Sequence, residues 1–111
     1  MEARLKSGIW VKALIRRCDL VAIPVAVVAR GDADAGAVLL KFNGRDAGCF
    51  VLAQVRGKDG ELLWMRATGS TPVAEAEADT YIERQRRRDP DLWVVEIETG
   101  SAEAVLNERP A

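Results

Sequence analysis

The sequence predicts an α+β domain, a mainly antiparallel sheet of four to five strands with two helices packed on one face, in the order α-β-β-β-β-α-β. Three observations point there. Between Val25 and Ala67, four short apolar runs are separated by turns rich in Gly and Asp, the pattern of a meander of neighbouring strands. A segment of helical periodicity lies on each side of that stretch in the chain. A last run of alternating residues, Leu92 to Glu98, follows the second helical segment.

Ser7 is an available N-cap for the first helix. From Ile9 to Val21 the helical period places Trp10, Ala13, Leu14, Cys18 and Val21 on one stripe, widened by Val11 and Ile15, with Lys12, Arg16, Arg17 and Asp19 outside. The β-branched pair Ile9 and Val11 weakens this helix at its start, so a strand through Ile9, Trp10 and Val11 is the alternative. Pro24 ends the helical pattern. Val25 to Ala29 is apolar at every position, as expected of a strand covered on both faces or lying in the middle of a sheet.

Arg30 to Gly36 reads as a compact loop, with Gly31 and Gly36 free in backbone angle and Asp32 and Asp34 able to bond nearby amides. In the next strand Val38, Leu40 and Phe42 are expected to face the helices, with Ala37, Leu39 and Lys41 on the other side. Asn43-Gly44 signals a direct hairpin into the strand from Asp46 to Arg56. Gly57 to Gly60 turns that strand into Glu61 to Ala67. Both faces of these strands carry more apolar surface than one wet sheet face tolerates, a surplus that a second copy or a folded-over tail would cover.

Thr71 as N-cap with Pro72 at the first helical position begins the second helix, which is expected to run to about Arg88. Ala74, Ala78, Tyr81, Ile82 and Gln85 form its packing side, and Glu83 and Arg87 pair on its outer face. Asp89-Pro90-Asp91 breaks it. In the final strand Trp93, Val95 and Ile97 are expected inward. The 111 residues fit one domain, with weakly structured ends at 1–6 and 99–111 and a short helical turn expected within 102–106.

Composition narrows the function. With 49% hydrophobic and 30% charged residues the chain resembles ordinary globular proteins. A formal net charge of -1 gives no global attraction to nucleic acid or anionic lipid and eases self-association. The signs are unevenly spread, basic near the start and acidic near the end, which could steer a partner. No run approaches the roughly 20 apolar residues that span a bilayer, no secretory signal pattern opens the sequence, and the cytoplasm is the expected compartment. Cys18 and Cys49 read as buried thiols rather than a disulfide.

The chain contains no histidine, so the commonest acid-base group and metal ligand is missing, and no Ser-His or Cys-His pair can form within one chain. No metal and no cofactor is expected, and a noncatalytic role is favoured over an enzyme. The loop from Gly31 to Gly36 lacks the spacing of a phosphate or dinucleotide loop, so it reads as a structural turn. Asp32 and Asp34, with Arg30 or Arg66 nearby, are nevertheless the candidate small-ligand or cation site. Arg84, Arg87 and Arg88 form a candidate docking patch for protein or nucleic acid, beside which an exposed Trp93 would stack on a base.

Four stretches, GIWVKALIRRC from Gly8 to Cys18, RGDADAGA from Arg30 to Ala37, WMRATG from Trp64 to Gly69 and RRDPDLWVVE from Arg87 to Glu96, together resemble a small, mainly alphaproteobacterial family, domain of unknown function 1491. The resemblance covers nearly the whole chain and is specific as an ordered set. It implies a bacterial cytoplasmic protein standing alone as one domain, and it carries over no reaction, substrate or catalytic residue. The leading reading is a noncatalytic protein that binds itself or another protein. Nucleic-acid binding through the arginine patch, and a ligand site at Asp32 and Asp34, are the alternatives.

Overall fold

The computed structural model describes residues 5–106, the side chain of Arg56 excepted. Helix α1 spans Ser7–Leu20 and is followed by β1 Val25–Ala29, β2 Val38–Asn43, β3 Cys49–Arg56 and β4 Leu62–Arg66. Helix α2 Glu75–Arg88 and β5 Trp93–Ile97 complete the set, with 3-10 turns at Arg45–Ala47 and Ala102–Ala104. The α+β class, the five strands and the order of elements are those predicted.

The strands lie in the order β1-β5-β2-β3-β4. The β2-β3-β4 part is the expected meander, but β1 does not adjoin β2, because β5 is inserted between them, parallel to β2 and antiparallel to β1. Local turns decide the hairpins. The insertion follows from α2, which leads the chain away from β4 and returns it as β5 alongside Val38 to Phe42.

The two helices take one face each, where the sequence predicts both on one. Val38, Leu40 and Phe42 point to the face covered by Val11, Leu14 and Cys18 of α1, where they meet Phe50, Leu52, Trp64, Trp93, Val95 and Ile97. On the opposite face Leu39, Cys49, Val51 and Val94 pack beneath Ala78 and Ile82 of α2. The reason is visible in β2, whose residues Val38 to Phe42 are all buried, so that both sides of the sheet need cover. Part of the apolar surplus is thus met within the chain, by α2 on one face and by Val105 and Leu106 after the second 3-10 turn on the other. Residues 1–4 and 107–111 of the two ends lie outside the described residues.

Several local expectations shift. Ser7 is the first residue of α1 rather than its cap, and its hydroxyl donates to the carbonyl of Gly36. Helix α2 starts at Glu75, not after Thr71, because Val73 is held extended by two backbone hydrogen bonds with Cys49, each 2.8 Å. Asn43 and Gly44 do not make a two-residue hairpin. A 3-10 turn over Arg45–Ala47 intervenes, with positive φ at Arg45 and Gly48. Glu83 pairs with Arg86 rather than Arg87. Finally β1, expected to be covered on both faces or to lie in the middle of a sheet, is an outer strand on which Val27 is 39% and Val28 52% exposed.

Candidate functional site

The loop from Gly31 to Gly36 is built into the fold from both sides. The amides of Ser7 and Gly8, which as the first residues of α1 have no partner within the helix, donate to the carbonyls of Asp34 and Ala33. On the other side the amide of Asp32 donates to Asp91 O at 2.9 Å, and the indole Nε1 of Trp93 donates to Asp32 O at 2.7 Å. One carboxylate oxygen of Asp32 accepts from the amides of Asp34 and Ala35, closing the turn on itself. Asp34 faces Lys6 at 3.7 Å. The Asp32 carboxylate therefore shapes the loop, whereas Asp34 contributes its backbone carbonyl to the start of α1. No group of His, Cys, Asp or Glu that could hold a metal ion occurs among the described residues.

Trp93 is 3% exposed, so its ring is part of the core rather than a surface for a base to stack on. Its outer side is taken by Arg30, whose guanidinium lies 5.6 Å from the ring centroid. Arg66 is far from this pair. It sits on β4 at the opposite edge of the sheet, 4.1 Å above the ring of Phe50, with Nε donating to Gly69 O at 3.1 Å. It joins no common site with Arg30 and Asp32.

Arg87 of α2 shares a surface depression with Arg30. With Arg86, Glu83, Asp89 and Leu92 they line an open depression of about 310 Å³ where the last turn of α2 meets the end of β1. Arg86 has a single carboxylate partner among the described residues, Glu83 at 3.3 Å. Arg30 and Arg87 make no ion pair with a described residue. Arg84 and Arg88 are exposed elsewhere on the helix. Burial pushes the Tyr81 phenol up, against the opposing pull of the Arg88 charge.

A second cluster was not legible in the sequence. Lys41, from the middle of β2, is 4% exposed, and its ammonium lies 2.7 Å from Glu75, 2.7 Å from Asp79 and 3.4 Å from Glu96. Asn43 Nδ2 bridges Glu75 and Glu96 at 3.3 and 3.1 Å. Burial alone would lower the lysine, but the hydrogen bonds to Asp79 and Glu75 and the charge of Glu96 outweigh it and hold the group above its ordinary value. Lys41 therefore stays an ammonium and cannot serve as a neutral-pH base or nucleophile. Burial likewise pushes up the thiols of Cys18 and Cys49, which leaves neither poised as a thiolate. The only signal for this cluster was the alternation that set Lys41 opposite Leu40 and Phe42. That signal does not reveal which helix would lie there.

The outer edge of β1 is the remaining feature with a capacity for recognition. The carbonyl of Pro24 accepts from the amide of Glu98 at 2.9 Å, so Pro24 and Ala26 turn their backbone groups toward β5. By alternation, the N–H and C=O groups of Val25 and Val27 point outward along an edge that pairs with no other strand among the described residues. Val28 is the bulged residue of the strand, and no charged side chain interrupts Val25 to Ala29. Leu20 and Val21, at the nearby end of α1, are 74% and 53% exposed. No helix among the described residues is long and apolar enough to cross a membrane.

Residues 5–107 match the family described as Protein of unknown function (DUF1491). The chain is similar to a crystal structure of a DUF1491 family protein from Caulobacter crescentus CB15, at 41% identity and a TM-score of 0.86 over 97% of this chain and 100% of that one. It is also similar to an NMR structure of a DUF1491 family protein from the same organism, at 40% identity and a TM-score of 0.84 over 99% of each chain. Protein Atu0922 from A. tumefaciens, solved in solution, is 31% identical with a TM-score of 0.82 over 98% of each chain. No curated protein matches the sequence.

Proposed function

The chain belongs to the DUF1491 family, mainly alphaproteobacterial and of unknown function, and from its surface we propose that it is a noncatalytic, self-associating protein whose copies join through the outer edge of β1. The observation that carries this reading is the run Val25-Ala26-Val27 on an outer strand, with the backbone groups of Val25 and Val27 turned away from the sheet. Natural edges are ordinarily guarded by charge, by proline within the strand or by a covering element. Among the described residues the guards are reduced to Pro24 before the strand and the bulge at Val28.

The edge is complementary to itself. A two-fold axis beside Ala26 sets Val25 of one copy opposite Val27 of the other, so that every outward N–H meets an outward C=O. The facing side chains are all uncharged, and a formal net charge of -1 per copy gives little mutual repulsion. The exposed Leu20 and Val21 at the end of α1 add apolar surface near the same edge.

Sedimentation equilibrium over a concentration series tests this. The wild-type chain is expected to shift from monomer to dimer, and Val27→Lys, which sets an ammonium against the apolar Val25 of the other copy at both ends of the pairing, is expected to stay monomeric with an unchanged circular dichroism spectrum. A wild-type chain that remains monomeric throughout, or a Val27→Lys variant that dimerises equally well, overturns the reading.

A further inference from the structure

We propose that the depression formed by Arg30, Arg86 and Arg87 binds a phosphoryl group carried by a small molecule. This site is independent of the β1 pairing above. Its parts come from three elements: Arg30 directly after β1, Arg86 and Arg87 from the last turn of α2, and Asp89 to Leu92 from the connection into β5.

Arg30 is exposed, and its guanidinium leans on a fixed ring. Its guanidinium lies over the Trp93 ring, and that ring is fixed by burial and by the bond from Nε1 to Asp32 O. Arg87 enters the same depression from α2 and has no carboxylate partner among the described residues. The carboxylates that share the depression are already engaged: Glu83 accepts from Arg86, and Asp89 Oδ1 accepts from the amide of Asp91 at 3.1 Å. Two guanidiniums without an ion-pair partner among the described residues thus line one depression, together with Arg86 and the carboxylates of Glu83 and Asp89.

Three arginines against two carboxylates leave the lining one positive charge in excess, and guanidinium forks suit the paired oxygens of a phosphoryl group. The volume, about 310 Å³, holds that group together with a small body. The buried Trp93 offers no stacking surface for a base, which favours a small phosphate ester over a polynucleotide.

The test is isothermal titration of the full chain with phosphoserine, with inorganic phosphate, and with a single-stranded oligonucleotide. Phosphoserine is expected to bind saturably and inorganic phosphate to compete with it. Arg30→Gln and Arg87→Gln are each expected to weaken phosphoserine binding by roughly tenfold or more, the scale of losing one charged hydrogen-bond partner. Arg84→Gln, outside the depression, is expected to bind as wild type, with thermal melts showing that all variants fold. Absence of phosphoserine binding, an equal loss in Arg84→Gln, or binding of the oligonucleotide alone overturns the proposal, the last in favour of a nucleic-acid backbone. If Arg30→Gln fails to fold, Arg87→Gln on the helix surface decides the matter.

Discussion

The ammonium of Lys41 lies 2.7 Å from a carboxylate oxygen of Asp79, tying the middle of the central strand β2 to the second turn of α2. Glu75 one turn earlier and Glu96 on β5 complete the ring of carboxylates around a charge that is 4% exposed. Removing the cation leaves three carboxylates facing one another. Lys41→Met is therefore expected to lower the unfolding free energy by about 2 kcal/mol, less than for a pair buried on both sides because Glu75 and Asp79 are half exposed. Urea denaturation checks the figure, and a variant as stable as wild type would show that the cluster contributes no net stability.

The same lysine sets a pH dependence. Its folded-state value is raised, so its stabilising contribution is complete below the unfolded value of about 10.4 and is lost as pH rises toward the folded one. Wild type is expected to lose more stability than Lys41→Met between about pH 10 and the onset of alkaline unfolding. Between about pH 7 and pH 9 the difference between them is expected to be flat. Urea midpoints of both proteins across that range test the sign.

Gly31 lies against the backbone of Asp91 and Leu92, and a Cβ there would come within 2.6 Å of Trp93 Cδ1. Backbone cannot yield as a flexible side chain does. Gly31→Ala is expected to cost about 1–3 kcal/mol and to disturb the Trp93 to Asp32 bond, visible in the near-ultraviolet dichroism of tryptophan. Gly60 provides the contrast, since nothing lies near its Cβ position and only its positive φ resists substitution.

Cys18 and Cys49 are 0% and 2% exposed. With both thiols buried and pushed up, neither is expected to react with an aromatic disulfide reagent in the native state. Reaction is expected to follow the urea unfolding curve, and rapid labelling of a thiol in the absence of denaturant would contradict its burial.

The candidate sites separate along the same line as the fold. The Gly31 to Gly36 turn is legible because its cause is local: glycine tolerance and an aspartate bonding amides two and three residues on. That Arg30 and Arg87 line one depression is not legible, because the two elements that carry them are brought to one side by the insertion of β5 between β1 and β2. Trp93 illustrates both sides. Its inward direction follows from alternation within its strand, whereas the loop that seals its indole comes from residues 31–36.

The sequence by itself determined which residues form strands and helices, and which side chains share a face. Periods of two and 3.6 and the chemistry of turns are properties of neighbouring residues. Tertiary structure alone decided that α2 covers the second face of the sheet, that an entirely apolar strand stands at the edge, and that Lys41 is enclosed by carboxylates from α2 and β5. Those outcomes depend on which apolar surfaces find cover from distant parts of the chain, a competition among non-local contacts that no local pattern encodes.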